Sequence, residues 1–162
     1  MNIKEKELSH VNKEGQAAMV DVGEKKVTRR MASARAIVVL PQEVMSLLKD
    51  GELWGKKGPV IQTAIIAGTM GAKRTGELIP MCHPLGLESC SFDTEWKGNE
   101  LTIQCTTKIE SKTGVEMEAL TGASVAALTI YDMCKALSHD IVIKEIKLLE
   151  KRGGKSDFKR EA

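Results

Sequence analysis

Aromatic side chains are almost missing from this chain: two Trp, one Tyr and two Phe in 162 residues. A core built from it must be aliphatic, drawn from Val, Ile, Leu, Met and Ala, and no platform exists for stacking a run of nucleobases. An excess of one charge is missing too. The 24 Lys and Arg stand against 22 Asp and Glu, a formal net charge of +2 with both signs mixed throughout. That excludes a strongly electrostatic nucleic-acid binder, while local clusters leave room for a small anionic ligand. No apolar run reaches the ~20 residues of a membrane-spanning helix. The opening MNIKEKELSH is charged and lacks the apolar stretch of a signal peptide. The four cysteines, Cys82, Cys90, Cys105 and Cys134, form no CxxC pair and no zinc spacing. They read as buried, reduced thiols of a cytoplasmic protein.

What is present suits one domain over 1–162, since 42% of the residues are hydrophobic. A polar arm over 1–27 and a basic tail over 152–162 are expected to be loose. After Arg29, Arg30 and Arg35 a strand is expected over 36–40. Pro41 then starts a short helix closed by Gly51. Residues 52–58, ELWGKKG, form a tight basic loop carrying Lys56 and Lys57. A helix follows over 59–75, with Ile61, Ala64, Ile65, Gly68 and Ala72 on one face and Lys73-Arg74 at its C-terminal end. Pro80 and Pro84 make the next segment a stiff bracket that presents Met81, Cys82 and His83. Residues 90–96 and 100–108 read as a hairpin, and 141–149 as a last strand. The resulting β-α-β-β-α-β order predicts an α+β fold, an antiparallel sheet with helices packed on one face.

The longest helical pattern runs over 112–135. Thr113 and Glu116 spell a capping box. Met117, Leu120, Ser124, Leu128 and Tyr131 form an expected core stripe, while Ala119, Gly122, Ala123, Ala126 and Ala127 crowd much of the rest, a face so small that the helix is expected to be covered on more than one side. Glu118 is not needed by the cap. Near a helix start the dipole would hold it ionised, suited to accept ligand N–H groups of a guanine-type edge. Asp132 and Lys135, three apart, are either a plain surface ion pair or a base and acid that tune each other. Glu118 and Asp132 lie fourteen residues apart, roughly 21 Å along the axis, so a small substrate touching both needs a second copy of the chain. Cys82 and His83 have no companion cluster to complete a metal site, so no metal ligand is expected. His83 reads better as a hydrogen-bonding or acid/base group. RGGKSD at 152–157 fails as a phosphate loop, because position 149 is Leu and no helix follows.

Three stretches carry a resemblance: KRTGELIPMCHPL at 73–85, KTGVEMEALTGASVAALTIYDMCK at 112–135 and GGKSDF at 153–158. They closely resemble the MoaC family of cyclic pyranopterin monophosphate synthases. MVDVGEKKVTRR at 19–30 matches as well, and the likeness extends from Ser9 to Phe158. The resemblance implies a ferredoxin-like fold, assembled as dimers into a homohexamer with sites at subunit interfaces. It implies a lyase of molybdenum cofactor biosynthesis that turns a cyclised dihydro-GTP into a pterin, cyclic pyranopterin monophosphate, with release of diphosphate. No cofactor is implied beyond a Mg2+ accompanying the triphosphate, and neither nucleic acid nor membrane is a partner. By position, Asp132, Lys135 and Lys57 fall on catalytic residues, with Lys56 leaving the last alignment open by one. Met81, Cys82, His83, Met117 and Glu118 fall on the substrate-binding segments, Met81 where the family usually has leucine. Arg30 and Lys151 look like further anion contacts. A reading from another class remains beside it: a non-catalytic nucleotide-binding regulatory module, since the same sheet-and-helix pattern serves such domains.

Overall fold

The computed structural model describes residues 8–161, so residues 1–7 of the expected arm and residue 162 of the tail lie outside the described residues. In chain order the elements are β1 (Thr28–Val39), α1 (Gln42–Met45), β2 (Leu48–Lys49), β3 (Glu52–Gly55), β4 (Gly58–Pro59), α2 (Val60–Lys73), α3 (Thr75–Leu78), β5 (Ser89–Lys97), β6 (Glu100–Ser111), α4 (Glu116–Cys134), β7 (Val142–Arg152) and β8 (Phe158–Lys159). The main sheet has the order β5-β6-β1-β7-β8 and its pairings are antiparallel. Its long strands follow the expected β-α-β-β-α-β sequence with α2 and α4 on one face, a ferredoxin-like arrangement. A second, three-stranded sheet of β2, β3 and β4 carries the basic loop at a hairpin tip.

β1 lies at the centre of the sheet and explains its own composition. Ala32, Ala34, Ala36 and Val38 alternate towards the helices and are fully buried. Its ladder with β6 runs unbroken from Thr28 opposite Ser111 to Val39 opposite Glu100. The strand starts eight residues before the expected 36, so Arg29, Arg30 and Arg35 lie inside it. Ala and Ser have low strand propensity, and pairing on both edges overrides it. The core is aliphatic as expected, with Leu40, Leu53, Leu101, Ile103 and Ile130 among its largest fully buried side chains.

Two expectations about the chain's far half need correction. The tail is not loose: β8 pairs Phe158 and Lys159 with Lys151 and Glu150, and Arg160 Nε donates to the Leu148 carbonyl at 3.0 Å. The stripe on α4 is also only partly realised, with Leu120 and Tyr131 packed at the edge of the core. Ala119, Gly122, Ala123, Ala126, Ala127 and Ile130 are buried, whereas Met117 and Leu128 are exposed. The reason is close packing on two sides. A Cβ on Gly122 would stand 2.6 Å from Cys105 Sγ on the sheet, and one on Gly68 of α2 would stand 2.7 Å from the Gly122 carbonyl oxygen. Only small residues fit there, so the large ones are turned outward. All four cysteines are free thiols, with Cys105 and Cys134 buried.

Candidate functional site

The start of α4 is set by long-range contacts. Val115 is its N-cap without any side-chain cap bond, so the Thr113–Glu116 capping box does not form. Instead the buried Thr107 hydroxyl of β6 donates to the Val115 carbonyl at 3.2 Å. Glu116 reaches across to β7 and pairs with Lys151 Nζ at 3.0 Å. Arg30 from β1 donates to the carbonyls of Ser111 and Lys112 at 3.3 and 3.2 Å. Arg30 and Lys151, read from sequence as anion contacts, thus brace the loop and first turn from which α4 begins.

Against that turn lies the proline bracket, and between them is a cavity of about 230 Å³. Met81, Cys82, His83, Met117 and Glu118 all line it, together with His10, Leu85, Thr113, Gly114 and Glu116. The structure therefore brings the whole expected substrate-binding set to one place. Burial, and then the nearby Glu118 charge, push the Cys82 thiol up from its ordinary range. His83 Nε2 lies 2.7 Å from the Val20 carbonyl. A carbonyl only accepts, so Nε2 carries the proton and Nδ1 keeps a lone pair in the neutral ring.

Glu118 departs from expectation. It is 3% exposed, and burial pushes its carboxyl up to about 7, partly offset by a backbone hydrogen bond and reinforced by Glu116. The helix start does not hold it ionised; loss of water wins over the dipole. A second small cavity, lined by Lys73, Thr75 and Gly76 among others, also touches it. The native state keeps this proton between about 4.5 and about 7, so stability falls as pH rises through that window. Glu118→Gln should therefore gain stability over the parent between about pH 5 and about pH 8, on the order of 3 kcal/mol. A urea-midpoint difference that stays constant across that range contradicts this.

The second cluster lies at the other end of α4. Lys135 Nζ is 2.8 Å from Asp132 Oδ1, and both side chains are more than half exposed. The hydrogen bond and charge of Lys135 hold the Asp132 carboxyl below its usual range, with a further contribution from Lys57. The same pair pushes Lys135 up. Lys135 thus keeps its proton more firmly than a free lysine does. Lys57 sits at the β3–β4 hairpin tip, which is fixed from within. The Glu52 carboxylate accepts the backbone N–H groups of Ile61 and Gln62 at 2.7 and 3.1 Å, capping α2 from β3. Asp132 therefore feels lysine charge both from its own helix end and from Lys57 at the hairpin tip.

One chain brings each cluster together but leaves the two at opposite ends of α4, roughly 21 Å apart along its axis. Sequence reasoning missed His10 and the contact between the arm and His83. The only signal was that Ser9 to Asn12 belongs to the stretch of resemblance, because the arm shows no periodicity. Among the described residues, no three His, Cys, Asp or Glu converge to hold a metal, and no helix is long and apolar enough to cross a membrane.

A model of the MoaC family matches residues 19–154. A protein of Xanthomonas axonopodis pv. citri (strain 306), named cyclic pyranopterin monophosphate synthase, is 53% identical over 158 residues, covering 97% of this chain and 96% of its own. One of the same name from Peptoclostridium acidaminophilum is 48% identical over 157 residues, covering 96% and 99%. A molybdenum cofactor biosynthesis bifunctional protein of Synechocystis sp. (strain ATCC 27184 / PCC 6803 / Kazusa) is 51% identical over 155 residues, 93% of this chain and 45% of the larger protein.

Proposed function

The chain belongs to the MoaC family, and on that premise we propose that it is an enzyme converting the cyclised dihydro-GTP to cyclic pyranopterin monophosphate with release of diphosphate. The observation that carries this reading is likeness along nearly the whole chain to relatives of that name. The gathering of Met81, Cys82, His83, Met117 and Glu118 around one cavity supports it.

The residue types suit the chemistry. Glu118 and His83 offer polar atoms to the edge of the guanine-derived ring, with Met81 and Met117 as apolar walls. Opening and re-closing that ring moves protons, for which a carboxylate beside a lysine is fitted. Asp132 orients or deprotonates, while Lys135, its proton held firmly by that carboxylate, supplies positive charge and becomes a proton donor only once substrate parts the pair. The cyclic phosphate forms when a ribose-derived hydroxyl attacks the α-phosphorus and diphosphate departs. Lys57 neutralises charge gathering on that leaving group. No cofactor enters this scheme, and Mg2+ would travel with the triphosphate.

The two clusters then belong to one site only if a second copy supplies one of them. The outward apolar face of α4, with Met117 and Leu128 exposed, supports burial against such a copy. We place the chain in a symmetric homo-oligomer, a hexamer built as a trimer of dimers. The reaction is tested by incubating the purified protein with the cyclised dihydro-GTP and following diphosphate and the pterin chromophore. Stoichiometric diphosphate release is expected. Tight binding with the ligand recovered unchanged would instead favour a regulatory nucleotide-binding module.

A further inference from the structure

Composition gives the arm no reason to be ordered, yet it folds on itself. Asn12 Oδ1 accepts the backbone N–H groups of Glu14 and Gln16 at 3.1 and 2.8 Å. Gly15 supplies the left-handed turn at φ +78°. Asn12 N donates to the Gln16 carbonyl at 2.8 Å and Ala18 N to the His10 carbonyl at 3.0 Å, with Val11 bridged to Ala17. The result is a closed hairpin across 10–18, held by its own backbone.

The next residues dock that hairpin on the cavity rim. His83 Nε2 donates to the Val20 carbonyl at 2.7 Å, and Lys112 Nζ donates to the Gly23 carbonyl at 2.7 Å. His83 lines the cavity, and Lys112 directly precedes Thr113, which also lines it. His10 is thereby carried to the same cavity as Cys82, His83 and Glu118. An exposed imidazole on a free chain end would gain nothing from such bracing. At a rim facing a polyanionic ligand, an imidazole carried on an anchored backbone has less freedom to lose on making contact.

We propose that His10 is a substrate-contacting residue of this cavity, delivered by the arm hairpin, and that His83 is the positioning residue that seats the arm. The inference rests on the proposed reaction, because its ligand is the cyclised dihydro-GTP. His83 then has a divided role. Its Nε2 is committed to the chain's own arm, and its Nδ1 lone pair is what remains for substrate.

Two measurements test this. In steady-state kinetics His10→Ala should raise KM about tenfold, the size of one lost ligand hydrogen bond, with kcat and melting temperature close to the parent's. His10→Gln, which keeps an N–H donor, should recover most of the loss. A His10→Ala KM within twofold of the parent overturns the proposal. The second measurement is independent of turnover. The chain has three histidines, His10, His83 and His139, so their imidazole C2–H resonances are assigned by single variants. Millimolar GTP should move the His10 signal and leave His139 in place. A parent that moves His10 yet fails to convert the cyclised dihydro-GTP sinks the reaction and leaves the contact standing. A His10 signal that GTP does not move overturns the contact.

Discussion

Asp132→Asn is expected to lower the rate of diphosphate release by about 10²- to 10³-fold, within the range general acid–base groups supply, and to leave the fold intact. Both parts follow from where the residue sits. Asp132 and Lys135 form an exposed pair on the last turns of α4. Exposed ion pairs add little to stability, so a purely structural role predicts almost no effect on either rate or melting temperature. The amide keeps the shape of the carboxylate and removes only its charge and basicity. A large fall in kcat with an unchanged thermal transition therefore separates the catalytic reading from the salt bridge. The neighbouring lysines sharpen it. Lys57→Ala should slow the reaction comparably, because the Lys57 charge reaches Asp132, and Lys56→Ala should stay within about threefold of the parent, as surface substitutions away from a site do. Equal effects at Lys56 and Lys57 would count against the assignment.

The second large effect is on the fold. Gly68→Ala places a Cβ 2.7 Å from the Gly122 carbonyl oxygen and 2.6 Å from the Phe92 ring. The ring has some freedom to turn, but the carbonyl belongs to α4 and moves only with the helix. Alanine's advantage in a helix interior is about 1 kcal/mol, and overpacking of a tight core costs about 1–3 kcal/mol or more. A net loss of about 1 kcal/mol, up to about 2, is expected in denaturant unfolding. Activity should fall with it, since α4 carries residues of both clusters. Gly122→Ala is a contrasting case. Its Cβ meets a side chain, Cys105 Sγ at 2.6 Å, so trimming that side chain in Gly122→Ala/Cys105→Ala should restore part of the loss. No such single trim relieves Gly68→Ala. A neutral Gly68→Ala would mean that the two helices are less closely seated than described.

The sequence was most readable where one periodicity faced one neighbour. α2 shows this: of the five residues expected on one face, Ile61, Ala64, Gly68 and Ala72 are buried and Ile65 is partly buried against the core. On α4 the cover on more than one side was legible from its Ala and Gly residues, but which face met the core was not. A search for large apolar residues finds Met117 and Leu128, yet the helix packs through Ala and Gly and turns those two outward. Caps failed for a related reason. Local spelling proposed Thr113 and Glu116 for α4, which has no side-chain cap bond, and offered nothing for α2, whose first N–H groups are met by Glu52 on β3. Ionisation was misjudged at Glu118 because burial cannot be read from position along a helix. The site residues themselves came from the resemblance, with the cavity joining 81–83 to 117–118 only once the chain was folded. The arm's hairpin had no visible pattern, since it is made by one Asn, one Gly and backbone hydrogen bonds.

The central claim is that the two ends of α4 serve different sites, each completed by a second copy of the chain. Mixing two inactive variants tests it most directly. His83→Ala damages the cavity cluster and Asp132→Asn the cluster at the far end. In a mixed dimer one shared site carries both lesions and the other carries neither. After co-expression or joint refolding at equal amounts, half the dimers are mixed and half of their sites are intact, so about a quarter of the parent's specific activity should return. Activity no greater than the average of the two variants alone would place both clusters' work within single chains and contradict the account.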